Sequence, residues 1–79
     1  MASFTTALLD HGENVRPFAD GPMLRAVPRD AVRDVFIEGH PADNAETRSR
    51  AFLRSAARAV EARELMSGEV NGRAMLWQP

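Results

Sequence analysis

Arg50, Arg54 and Arg58 recur at four-residue intervals in a stretch that contains neither proline nor glycine. On a helix that spacing lines three guanidiniums along one side, where each can reach a phosphate oxygen. Arg73 stands directly after Asn71-Gly72, so a turn at that dipeptide carries a fourth guanidinium beside its tip. Such a set makes and breaks no bonds. It holds polyanions, and every phosphate engaged makes binding more sensitive to salt. The same residues would also serve as a solvated face, because Glu46 lies four residues before Arg50 and Glu61 three after Arg58, close enough to neutralise part of the row. Asp30, Asp34 and Glu38 form a second row with the same period and the opposite sign. Carboxylates one helical turn apart sit about 6 Å from each other. That is near the phosphate spacing of a nucleic-acid strand, so this row could meet a basic groove on a partner, or simply face water.

His11 and His40 are the only histidines. With Asp10 and Asp43 near them they invite a metal or general-base reading, but their spacing fits no zinc motif. His40, between Gly39 and Pro41, suits the last carbonyls of a helix, where a cation is favoured. No serine or threonine adjoins a histidine in a nucleophile motif, and no glycine-rich phosphate loop occurs. The expectation is a protein that binds, not an enzyme, with no catalytic residue, no cofactor and no metal.

The elements that must carry these rows follow from punctuation and period. Ser3 can cap a short helix over Phe4 to Asp10, closed by Gly12, with Phe4, Leu8 and Leu9 inward. Residues 13–22, with Pro17, Gly21 and Pro22, read as an ordered loop or arm. Residues 23–27 read as a short strand. Pro28 suits the first turn of a helix that runs to about Glu38, with Val32, Val35 and Phe36 on its inner side, Ala31 at the edge and the acidic row opposite. Asp43 and Asn44 are both placed to cap the next helix, with Glu46 positioned for a capping box. That helix extends from Ala45 to about Met66, with Phe52, Ala56, Ala59 and Val60 inward, the arginine row outward, and Arg48 and Arg63 laying their stems along the core edge. Asn71-Gly72 between two short apolar-containing runs predicts a type I′ hairpin. Alternation along its second strand sends Met75 and Trp77 to one face and Leu76 to the other, so the hairpin edge or the Leu76 side offers a surface for a second copy of the chain. The fold class expected is α+β: a small winged-helix-like domain of two main helices, a short N-terminal helix, a strand at 23–27 and a C-terminal β-hairpin. Residues 1–79 form one domain, with 1–22 as helix and arm and 23–79 as the core.

Bulk properties bound the rest. Seventy-nine residues leave little apolar surface to spare. Cysteine is absent, which fits a reducing cytoplasm, and no apolar run approaches the ~20 residues of a membrane span. The formal net charge of −1 excludes a polycation. All ten basic residues are arginine, which together with the many alanines suits GC-rich coding. The charge is split: residues 1–43 carry net −3 and residues 44–79 net +2. The two halves therefore present candidate binding faces of opposite sign.

One resemblance covers nearly the whole chain. Ala26-Val27-Pro28-Arg29-Asp30-Ala31-Val32-Arg33-Asp34-Val35-Phe36, Pro41-Ala42-Asp43, Arg50-Ala51-Phe52-Leu53-Arg54-Ser55-Ala56, Arg63-Glu64-Leu65-Met66, Asn71-Gly72 and Leu76-Trp77 follow one another in a familiar order. Leu9, Gly12 and the run Arg16-Pro17-Phe18, Asp20-Gly21-Pro22 extend it upstream. The pattern resembles the C-terminal winged-helix segment of replicative AAA-type ATPases carried by alphaproteobacterial phages and plasmids. It departs from that pattern at Glu64, where the family usually has glycine, and the chain holds no P-loop. The resemblance implies a winged helix and an ancestry near nucleic-acid machinery. A small chain of this kind also looks like a phage anti-CRISPR protein.

Two functions are therefore expected of the sequence. The first is a phage-type inhibitor acting in the host bacterial cytoplasm on a protein or ribonucleoprotein, a type I CRISPR surveillance complex above all. It would block target-DNA binding or nuclease recruitment through Asp30, Asp34 and Glu38, with acids of the amino-terminal arm beside them. The alternative is a small winged-helix DNA-binding protein that uses Arg50, Arg54, Arg58 and Arg73 on duplex DNA. A structural adaptor that dimerises through the hairpin is a third, and no membrane partner is expected.

Overall fold

The computed structural model describes residues 1–41 and 43–79; Ala42, within the Pro41-Ala42-Asp43 segment of the resemblance, lies outside the described residues. In chain order the elements are α1 (Ala2–His11), β1 (Glu13–Val15), β2 (Leu24–Pro28), α2 (Arg29–Gly39), α3 (Ala45–Glu61), β3 (Met66–Val70) and β4 (Arg73–Trp77). The class is α+β, as the sequence predicts. The strands form one antiparallel sheet in the order β1-β2-β4-β3, so the C-terminal hairpin lies beside β2 across the two-helix connection.

The hairpin closes as its sequence requires. Asn71 and Gly72 take φ values of 53° and 79°, the paired positive angles of a type I′ turn, and Val70 faces Arg73 in register. Alternation along β4 is also as expected. Leu76 packs with Val27 against Phe4, Ala7, Val32, Phe52, Ala56, Ala59 and Leu65 on the helix side. Met75 and Trp77 join Val15, Ala26 and Val70 on the opposite side. Phe18 meets Trp77 edge-on at 6.4 Å from the segment between β1 and β2. The centre of the sheet, at β2 and β4, thus carries buried side chains on both faces, and Leu76, with no exposed surface, offers nothing to a second chain.

Several local expectations are corrected. Ser3 does not cap α1, which begins at Ala2 and ends one residue later than expected, at His11; Leu9 is 75% exposed, while Ala7, unnoticed in the sequence, is fully buried. Residues 13–22 include β1, whose Glu13, Asn14 and Val15 pair with Ala26, Arg25 and Leu24. Pro28 ends β2 and precedes α2 as its N-cap instead of occupying its first turn. For α3 the cap is Asn44, whose side chain accepts from the N–H groups of Glu46 and Thr47. Glu46 is therefore one position too early for a capping box, and its carboxylate takes a hydrogen bond from Arg50 instead.

The largest difference is at the end of α3, which stops at Glu61 and not near Met66. Arg63 adopts φ 60°. Its N–H donates to the Val60 carbonyl, and the N–H groups of Glu64 and Leu65 both donate to the Ala59 carbonyl. These are the paired bonds of a Schellman cap, built on an arginine where glycine is usual. The reversal drops Leu65 into the core, where it is 1% exposed, and starts β3 in register with β4.

Candidate nucleic-acid interface

Arg50, Arg54 and Arg58 stand in one exposed row on α3 because Phe52, Ala56 and Ala59 claim the opposite side for the core. The row borders two surface recesses. One, of about 490 Å³, is lined by Thr47, Arg50, Leu53 and Arg54. The other, of about 200 Å³, is lined by Ala51, Arg54, Ser55 and Arg58. Arg50 is braced by Glu46 at 2.6 Å, in an ion pair whose side chains are more than two-thirds exposed. A pair so open to water holds its partners weakly and yields readily to a stronger anion. No ion pair engages Arg54 or Arg58 among the described residues.

Arginines of α2 approach the same helix. Arg29 places its guanidinium carbon 5.4 Å from the centre of the Phe52 ring, and Arg33 donates to the Ser49 hydroxyl at 3.5 Å. These contacts tie α2 to α3 on its inward side, opposite the predicted row. The signal was present in the sequence as a pair one turn apart, but which helix it would face depended on how the two helices pack.

Arg73 is not brought to this surface. Its guanidinium donates to the Glu13 carboxylate at 2.7 Å. It shares the side of β4 that carries Met75 and Trp77, away from the helices. The hydrogen bond from Arg73, aided by its charge, holds the Glu13 carboxyl below the usual carboxylate range, and the same contact pushes Arg73 up. The bridge links β4 to β1 across β2. It fastens the N-terminal strand rather than arming the hairpin tip.

Asp30, Asp34 and Glu38 are all exposed on α2, and among the described residues no side-chain hydrogen bond or ion pair engages any of them. The two rows are not buried against each other. His40 stacks at a tilt on Phe36, 5.3 Å between ring centres, which places it against the α2–α3 core edge. His11 ends α1 in the open. No helix among the described residues is long and apolar enough to cross a membrane.

Two residues of the α3 surface escaped the sequence reading. Leu53 is 55% exposed and Thr47 is exposed, and both line the larger recess between arginines. Leu53 adjoins Phe52, and only the helix phase separates the inward from the outward residue. Comparison of the chain with protein-family models, curated proteins and solved structures finds no match to it.

Proposed function

We propose that this chain is a winged-helix-like DNA-binding module that lays the arginine face of α3 on duplex DNA. The carrying observation is the row Arg50, Arg54 and Arg58, exposed on the helix that leads into the hairpin and bordering both recesses. The order of elements supports the reading: a strand, two helices and a hairpin that returns beside that strand. Arg54 and Arg58 engage phosphates directly, and Arg50 does so by exchanging Glu46 for a phosphate oxygen. Arg73 takes no part, because it lies on the face of β4 that carries Met75 and Trp77, away from α3. The net charge of −1 keeps long-range attraction weak, so affinity rests on this local face. Fluorescence anisotropy with a labelled duplex at low salt tests the proposal. Binding is expected for the native chain, with a loss of at least tenfold in the Arg50/Arg54/Arg58→Ala variant; equal binding by both would refute it.

A second reading draws on the three unengaged carboxylates of α2. Asp30, Asp34 and Glu38 present a row of negative charge that a basic channel of a protein or ribonucleoprotein could accept in place of nucleic acid. An inhibitor of a type I CRISPR surveillance complex would use it so. Here the duplex assay stays silent, and Asp30/Asp34/Glu38→Asn/Asn/Gln abolishes co-purification with the complex; retained co-purification would count against it.

A further inference from the structure

We infer that the hairpin tip is a site of spontaneous covalent change, where the backbone nitrogen of Gly72 displaces ammonia from the Asn71 side-chain amide. The three asparagines of the chain differ in what surrounds that group. Asn44 caps α3, and its Oδ1 accepts from the N–H groups of Glu46 and Thr47, so attack at its Cγ would undo the cap. Asn14 lies within β1, held opposite Arg25, and the residue after it is the β-branched Val15, 8% exposed, whose side chain crowds the attacking nitrogen. Asn71 has none of these restraints. It is exposed, and among the described residues its side chain makes no hydrogen bond. Gly72 is exposed too, and nothing lies within 4 Å of where its Cβ would stand. Its N–H donates to no acceptor among the described residues. The tip must turn about the Asn71 Cα–C bond to bring this nitrogen to Cγ. Two residues outside both strands make that turn locally, and glycine has no side chain to resist it. The reaction balances without oxidant or reductant. A bond forms between the Gly72 nitrogen and Asn71 Cγ, the Cγ–Nδ2 bond breaks, and the Gly72 N–H proton leaves with the amide nitrogen as ammonia. Water then opens the cyclic imide at either carbonyl, giving aspartate or, with the chain rerouted through Cβ and Cγ, isoaspartate. Aspartate still tolerates the left-handed turn. Isoaspartate adds a backbone carbon to the two-residue loop that sets Val70 against Arg73, and so opens the hairpin.

The test holds the folded chain in mildly alkaline buffer beside the same chain unfolded in urea, where the fold gives no protection. Before the unfolded chain is fully converted, the folded chain is expected to gain a form whose net charge has moved from −1 to −2 on ion exchange. Peptide mapping should place the change at Asn71 and not at Asn14 or Asn44. A folded chain intact at Asn71 when the unfolded one is fully converted would overturn the proposal, and so would conversion led by Asn14 or Asn44. Asn71→Gly leaves a glycine pair that also suits a type I′ turn, and this variant should keep its net charge throughout. Appearance of the acidic form in it at the native rate would overturn the assignment to Asn71. The separated isoaspartate form should lose hydrogen-exchange protection along β3 while the aspartate form retains it; equal protection in the two would overturn the opening of the hairpin.

Discussion

Gly68 shows how little space a single position on the sheet can have. An added Cβ there would stand 2.9 Å from Cη2 of Trp77, whose ring lies over the glycine and is itself 4% exposed. The ring is enclosed by Val15, Ala26 and Met75 and cannot swing away cheaply. Gly68→Ala is expected to destabilise the protein by about 1–3 kcal/mol, the range for overpacking a filled core, measured by urea denaturation. Gly39→Ala is the contrasting substitution. It ends α2 with nothing within 4 Å of the added atom, so a gain of about 0.4–1 kcal/mol is expected there from the stiffer unfolded chain. Equal effects at the two positions would contradict the packing described for Trp77.

At the scale of elements, β1 and the end of α3 are the places where the sequence spoke least. Asn71-Gly72 announces its hairpin because both residues tolerate positive φ, and the inner faces of α2 and α3 follow from period alone. β1 has only Val15 to mark it. Its three residues become a strand because β2 offers an open edge and Arg73 reaches Glu13 from β4. Such long-range support leaves no local trace. The end of α3 was hidden because arginine at 63 gives no stop signal, and the backbone bends there only to bury Leu65. Arg63→Gly should relieve that cost and raise stability by about 0.5–1 kcal/mol, detected as a higher thermal midpoint; a lower midpoint would mean that the arginine side chain is needed at the cap. The Glu13–Arg73 bridge has a pH signature. Because Glu13 is held below the usual carboxylate range when folded, its contribution is complete above that range and disappears as the pH falls through the lowered value. Hydrogen-exchange protection of the β1 amides should decline over that acidic interval, and Glu13→Gln should remove the dependence. The arginine and acidic rows were legible from spacing. The segregation of Arg73 from the other three arginines was not, since it depends on which face of the sheet a hairpin residue takes.

The whole molecule places its charge on separate helices: a row of carboxylates on α2 and a row of guanidiniums on α3, with neither buried. That separation lets a chain of net charge −1 still present a locally positive surface. If three arginines each contact a phosphate, the slope of log K against log salt is steeper in the native chain than in Arg50/Arg54/Arg58→Ala by about 2.7, a difference read from a salt titration. The measurement that addresses the DNA-binding assignment most directly is residue-resolved NMR shift mapping as duplex DNA is added. The expected result is perturbation concentrated at Thr47, Arg50, Leu53, Arg54 and Arg58, with Asp30, Asp34 and Glu38 undisturbed. Perturbation centred on the α2 carboxylates, or none at saturating duplex, would contradict it.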